Sequence, residues 1–343
     1  MGGTTAKCAA HGKQCEIPHG VDGPTIAAFG FSCKDFSLQN NAAPQKSCMI
    51  QKGLGSSGRT ARDLLTFLEK HPMPIIVVEN VEEFLSDSHG QLQYFQQVLL
   101  DIGYKSKPMV MRTVDYLLPQ DRKRAYIIGL HQHMVTLEDG QTVDGILDNI
   151  VSTAARLASN QVFSLDDICL SDTDPRVIAG LKRRQDATEN QKDHVKWPGL
   201  HFEFLQQQGL TKSDVVGKPQ TRASPWFQCL PEREQDIVGY WENRPDAFAV
   251  DTSQTINRAP LSRNSIMSSL MPEGHYYLFS RQRPLLGFEC LKLQGCTPFE
   301  IDLSYRPPRI LSFSRGQGAG YMMMSSAGHT HSAVLHDSDG LLP

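Results

Sequence analysis

The chain has 343 residues, of which 40 % are hydrophobic and 21 % charged, a globular balance that excludes a mainly disordered or fibrous chain and is long enough for two lobes. Thirty-four basic against 37 acidic side chains give a formal charge of −3. A wholly basic nucleic-acid coat is therefore excluded, and any such contact must come from a local patch.

In chain order, Thr25 to Phe29 predicts a buried strand that ends in the loop Gly30-Phe31-Ser32-Cys33. Thr60 to Lys70 predicts a helix with Leu64, Leu65 and Leu68 on one face, stopped by His71-Pro72. Pro74 to Val78 is a continuous apolar run, the pattern of a parallel strand covered on both faces, and it delivers Glu79-Asn80-Val81 to the strand end. A helix around Leu92 to Leu100 follows, then strands at Pro108 to Val114 and Arg124 to Gly129. Beyond about residue 130 the α/β rhythm loosens into amphipathic pieces, polar spacers and the cluster Lys182-Arg183-Arg184, the pattern of a separate, less regular lobe. Pro284 to Gln294 regains a helical apolar face with Leu286, Cys290 and Leu293, and Ser325 to Gly328 predicts a turn before a last helix.

No run approaches the roughly 18 apolar residues of a membrane helix, and the first residues open no secretory hydrophobic region, so the expectation is a soluble, intracellular protein. The eight cysteines contain no C-x-x-C pair, which argues against a disulfide framework. Cys8, His11 and Cys15 supply too few ligands for a metal to be expected. Gly53-Leu54-Gly55-Ser56-Ser57-Gly58 fits the G-x-G-x-x-G pattern, but no strand precedes it, so a loop closing over a substrate is preferred to a dinucleotide cradle.

Three segments carry the chemistry by their order rather than singly. Gly30-Phe31-Ser32-Cys33-Lys34-Asp35-Phe36-Ser37 leaves the first strand, Glu79-Asn80-Val81 ends the next, and Gln120-Asp121-Arg122-Lys123-Arg124 enters a third. In a parallel sheet such ends converge on one edge, where these folds bind ligands. This order resembles the cytosine-5 DNA methyltransferase family, with its Pro-Cys loop, Glu-Asn-Val strand end and Gln-x-Arg-x-Arg strand start. Arg281 to Gly295 is similar to the family's Arg…Glu…Leu-Gln-Gly helix, and Tyr321 to Ser332, with Ala327-Gly328-His329, to its closing motif.

The resemblance implies an α/β, Rossmann-like fold of S-adenosylmethionine-dependent methyltransferases with a smaller, irregular target-recognition domain. It implies a catalytic lobe over 20–130, target recognition over 131–280 and a return to the catalytic lobe over 281–335. Cys33 then matches the nucleophile that attacks carbon 6 of cytosine, Glu79 the carboxyl group at ring nitrogen 3, and Arg122 and Arg124 the stabilising guanidiniums. Ser37, Asn80 and Gln120 match substrate-binding positions, and Asp22, Phe29, Val81 and Gly328 are the expected contacts to the cofactor, S-adenosylmethionine. The partner implied is double-stranded DNA with the target cytosine flipped out, and in a eukaryotic cell the compartment is the nucleus. Transfer RNA as substrate and a non-catalytic DNA-binding relative are the alternatives.

The departures from the family are specific. Only 32 residues precede Cys33, without the family's Phe-x-Gly-x-Gly turn, so the sheet is expected to be N-terminally incomplete. Ser32 stands where the family has proline, and His329 where it has asparagine. Ile256 to Arg315 carries eight basic against four acidic residues, a patch that suits phosphates or an ordinary solvated surface equally.

Overall fold

The computed structural model describes residues 5–7, 12–16, 26–36, 49–86, 90–188, 197–271 and 274–295. Asp22, Ser37, the closing motif with Gly328, and the turn and helix expected after Ser325 lie outside them. The described residues of 5–111 and 123–157 form one compact unit, and those of 112–122 and 158–295 a second.

In the first unit, β1 (Thr5–Lys7) and β2 (Gln14–Glu16) pair as a short antiparallel ribbon. The main sheet is built from β3 (Ile26–Gly30), β4 (Ile75–Val81), β5 (Tyr104–Arg112) and β7 (Lys123–His131), while the two-residue β6 (Gln120–Asp121), which precedes β7 in the chain, belongs to the second unit. The strand order is β3-β4-β7-β5. β3 and β4 are parallel, aligning Gly30 with Glu79, whereas β7 runs antiparallel to β4, aligning Glu79 with Tyr126 and Val81 with Arg124. β5 and β7 close as a hairpin, with Thr113 N–H donating to Arg122 O at 3.0 Å and Gln132 N–H to Gly103 O at 2.9 Å. The sheet expected to be parallel is therefore mixed. The ends still converge, because an antiparallel strand begins at the edge where its neighbour finishes.

Helices α1 (Met49–Lys52), α2 (Gly55–Lys70) and α3 (Gln91–Asp101) cover one face of this sheet, and α4 (Val143–Arg156) covers the other. The apolar run of β4 divides between them as strand alternation requires. Ile76 and Val78 join Ala61, Leu65, Leu68, Phe95 and Leu99 on one side, while Ile75 and Val77 meet Ile128, Leu130, Val143 and Leu147 on the other. The reading of that run as a strand covered on both faces holds. Thr142 caps α4, its hydroxyl accepting from Gly145 N–H at 3.1 Å. α4 belongs with the sheet, and the compact unit runs on to Leu157.

The second unit holds α5 (Leu165–Ile168), α6 (Pro175–Thr188), α7 (Trp197–Gln207), α8 (Pro219–Ala223), α9 (Pro225–Gln228), α10 (Glu232–Glu242) and α11 (Gly287–Leu293). They surround an antiparallel sheet ordered β12-β11-β8-β9, from β8 (Ala247–Asp251), β9 (Leu261–Arg263), β11 (Tyr276–Leu278) and β12 (Arg283–Pro284). The short β10 (Met267–Ser268) pairs with β6. Val250 and Tyr277 face one core with Ile237 and Val238, and Ala249, Tyr276 and Leu278 face another with Leu165 and Leu293.

Glu289 and Arg283 tie the end of this unit together. Arg283 grips Glu289 through two hydrogen bonds of 2.8 and 3.0 Å, Glu289 also accepts the N–H groups of Leu170 and Leu286, and Arg283 reaches Asp172 Oδ1 at 2.8 Å. Burial tends to depress the Arg283 guanidinium, but its hydrogen bonds to Glu289 and Asp172 outweigh that and hold its pKa well above the ordinary range. Arg283 is 1 % exposed, so it leaves the basic patch drawn from Ile256 to Arg315. Arg281 is paired with Asp166 at 2.8 Å, while Arg258 and Arg263 stand exposed.

Candidate active site

The segment carrying Cys33 takes its shape from two phenylalanines five residues apart. Phe31 and Phe36 are buried, each with its ring 5.4 Å from Phe84, so the intervening residues bulge from the core as a tight turn closed by Phe36 N–H on Cys33 O at 3.1 Å. Cys33 is partly buried at the edge of this core and is not disulfide-bonded. Asn80, almost fully buried at the end of β4, donates its amide to Phe31 O at 3.2 Å and accepts Val81 N–H at 2.9 Å. The Glu-Asn-Val strand end is thus bonded to the base of the cysteine turn.

Glu79 and Arg124 meet on the same sheet. Arg124 Nε lies 3.0 Å from Glu79 Oε1, both side chains partly shielded. The first unit therefore gathers Cys33, Glu79, Asn80 and Arg124 around the adjacent ends of β3, β4 and β7. Arg122 and Gln120 belong to the second unit. Arg122 N–H donates to Thr113 Oγ1 at 3.1 Å, which fixes its backbone. Gln120 is fully enclosed, and both polar atoms of its amide are without a protein partner. Its backbone carbonyl accepts from Thr113 Oγ1 at 2.6 Å.

The G-x-G-x-x-G segment is resolved as the start of α2. Leu54, at the N-cap position, has no side chain to offer the free amides, and an acceptor arrives from the cysteine turn instead. Asp35 Oδ2 accepts Ser57 N–H at 2.9 Å and Ser56 Oγ–H at 3.3 Å, and Asp35 N–H donates to Ser57 Oγ at 3.0 Å. A carboxylate already occupies the place a phosphate would take. Gly55 has a φ of +64°, and a Cβ there would lie 2.4 Å from Asp35 Oδ2, so glycine is demanded by the approach of this carboxylate. Ser32 N–H donates to Thr60 Oγ1 at 3.2 Å on the same helix. Sequence reasoning passed over Asp35, Ser57 and Thr60. The signal was a helix start with no capping residue of its own and an acid two residues after the cysteine.

Of the expected cofactor contacts, Phe29 and Val81 lie among the described residues. Phe29 packs edge-on against Phe67 with centroids 6.1 Å apart, and Val81 is buried in the same core. Among the described residues of the first unit, every buried polar side-chain atom has a hydrogen-bond partner.

Comparison with known proteins identifies the family. Residues 13–300 match the model of the C-5 cytosine-specific DNA methylase family, and the chain belongs to that family. It is 32 % identical over 324 residues to the DNA (cytosine-5-)-methyltransferase DMT5 of Cryptococcus neoformans var. grubii, and 24 % identical over 350 residues to the DMT5 of Verticillium dahliae. Those matches cover 86 % and 83 % of this chain but 13 % and 14 % of the relatives, so the chain spans about one-seventh of their length. Among solved structures, S. pombe Dnmt2 methyltransferase aligns over 44 % of this chain and 42 % of its own, at 15 % identity and a TM-score of 0.29.

Proposed function

We propose that the chain is the catalytic region of a DNA (cytosine-5)-methyltransferase in which Cys33 adds to carbon 6 of a cytosine turned out of the duplex. The single observation that supports this most is the junction of Asn80 with Phe31, which joins the cysteine turn to the strand carrying Glu79 and, through it, Arg124. Thiolate addition to carbon 6 forms the carbon–sulfur bond and turns the ring into an enamine that is nucleophilic at carbon 5. Glu79 answers ring nitrogen 3, and Arg124 spreads the charge that builds on the ring and holds the carboxylate in place. By the family resemblance, Arg122, Gln120 and Ser37 are the further proposed contacts to the base. The methyl donor of the family, S-adenosylmethionine, supplies an electrophilic methyl group when bound. Asp22 and Gly328 are its proposed contacts, together with the backbone beside Phe29 and Val81.

The second unit is the proposed DNA-gripping part, with exposed Lys182, Arg183, Arg258 and Arg263 available to phosphates. Family membership supports duplex DNA as substrate and, in a eukaryotic cell, a nuclear location. No helix among the described residues is long and apolar enough to cross a membrane.

The test uses a step that needs no methyl donor. Addition of Cys33, protonation of carbon 5, then loss of the carbon 5 hydrogen and of the thiolate exchanges that hydrogen with water. Tritium release from DNA labelled at cytosine carbon 5 is expected from the native chain and absent from Cys33→Ala. Equal release from both refutes the assignment. Titration with S-adenosylmethionine addresses the alternative of a non-catalytic DNA-binding relative, which predicts no saturable uptake by a folded chain. A folded chain that exchanges tritium but takes up no donor is one that receives its methyl donor only with help from elsewhere.

A further inference from the structure

The turn that presents Cys33 is tied to α2 on both sides of the cysteine. On one side Ser32 N–H reaches Thr60 Oγ1 at 3.2 Å, and Ser32 Oγ lies 3.2 Å from Ser56 Oγ. On the other, Asp35 exchanges a reciprocal pair of bonds with Ser57, at 2.9 and 3.0 Å. Thr60 Oγ1 is itself directed by Ser56 O at 2.9 Å, and α2 is anchored in the core through Ala61, Leu65 and Leu68. Each tie therefore ends on a packed helix rather than on another loop.

These bonds bear on a specific gap. A proline at position 32 would hold φ near −65° through its ring and would have no N–H. Serine leaves that angle to rotate, yet its N–H finds an acceptor placed for it. We propose that Asp35, Ser57 and Thr60 are positioning residues that hold the Cys33 turn rigid by hydrogen bonds to the first turns of α2, replacing the covalent constraint of a proline. The proposal rests on Cys33 being the nucleophile. Its value to the reaction is orientation: a displaced nucleophile loses rate without loss of substrate binding.

Two measurements on the full chain separate this proposal from the one beneath it. Amide hydrogen exchange over residues 31–36 reads the turn directly, and tritium release from carbon 5-labelled DNA reads the chemistry. Thr60→Val and Asp35→Ala are each expected to speed amide exchange in the turn and to lower kcat about tenfold at unchanged KM for DNA. Thr60→Ser, which keeps the acceptor, is expected to behave as the native chain. In a Ser32→Pro background, where no N–H remains for Thr60, Thr60→Val should have no further effect, which a purely structural role for Thr60 would not produce. Native amide exchange and native kcat in both Thr60→Val and Asp35→Ala overturn the proposal, as does a change confined to KM. If the native chain releases no tritium, the nucleophile assignment fails by itself, and unaltered amide exchange in Thr60→Val would then still refute the tie between turn and helix.

Discussion

Arg124 Nε reaches Glu79 Oε1 at 3.0 Å although the two residues are not opposite one another in the sheet. Glu79 faces Tyr126 and Arg124 faces Val81, so the ion pair is the diagonal one, two residues along on the same face of antiparallel strands. The long guanidinium stem spans that offset. Glu79→Gln should keep the fold, because glutamine preserves the length of the side chain and its amide oxygen can still accept from the Arg124 guanidinium. Removing the charge should lower carbon 5 hydrogen exchange by about 10²-fold or more if the carboxyl group serves the ring. Equal activity in the native and Glu79→Gln chains, each verified by its thermal unfolding, would remove Glu79 from the mechanism.

The cysteines differ in availability. Burial raises the thiols of Cys169 and Cys290 to about 12, with the Glu289 carboxylate adding to the effect. At pH 8 only about one in ten thousand of either is a thiolate, the reactive form. Both should resist iodoacetamide in the native protein and react once it is unfolded in urea, as peptide mapping would show. Labelling of either in the folded chain within minutes would contradict their raised pKa.

Breaking the Arg283–Glu289 pair leaves a guanidinium with too few acceptors in a closed space, and Glu289 also holds the N–H groups of Leu170 and Leu286. Glu289→Ala is expected to destabilise the second unit by about 3–5 kcal/mol, seen as a lower urea midpoint. Replacing both partners with Arg283→Met and Glu289→Leu should recover the part of that loss due to the uncompensated guanidinium, while the Leu170 and Leu286 N–H groups stay without their acceptor.

Tyr104 is fully buried and bonds the same residue twice, its hydroxyl accepting Met73 N–H and donating to Met73 O, each at 2.8 Å. Burial pushes its pKa above the ordinary tyrosine value, against the Met73 backbone bond, which lowers it. Tyr104→Phe leaves both backbone groups of buried Met73 without this partner. A loss of about 2 kcal/mol in chemical unfolding is expected, with little effect on carbon 5 exchange.

Acid should weaken the second unit through two carboxylates. Hydrogen bonds from Arg176 hold Asp174 down at about 2 against an ordinary 3.8. Because the folded value is the lower one, this group contributes stability above about pH 4 that disappears as pH falls towards 2. Burial acts to raise Glu234, but His275, Arg184 and Thr252 overcome it and lower its pKa, so its contribution is likewise lost on acidification. Asp174→Asn should be less stable than the native chain at pH 6 and indistinguishable from it near pH 2. A constant difference between the two across that range would show that the Arg176 contact does not depend on charge.

Much of the first unit could be read from residue pattern alone. The apolar run Ile75 to Val78, the leucine face of α2 and the order Cys33, Glu79–Val81, Arg124 each follow from local periodicity or motif, and burial enforces them wherever the chain goes. Three features could not be read that way. The antiparallel direction of β7 depends on which edge the strand joins, and an apolar strand has the same alternation in either sense. The place of α4 against the sheet depends on its partner, since an amphipathic helix announces a buried face but not what buries it. The bonds of Asp35 to Ser57 and of Ser32 to Thr60 join residues more than twenty apart, and hydroxyls and carboxylates carry no periodic signature of a distant partner. The sequence by itself determined which residue types would reach the ends of β3, β4 and β7. Only the tertiary structure decided how the cysteine turn is held there, because its rigidity resides in contacts between segments that local propensity does not encode.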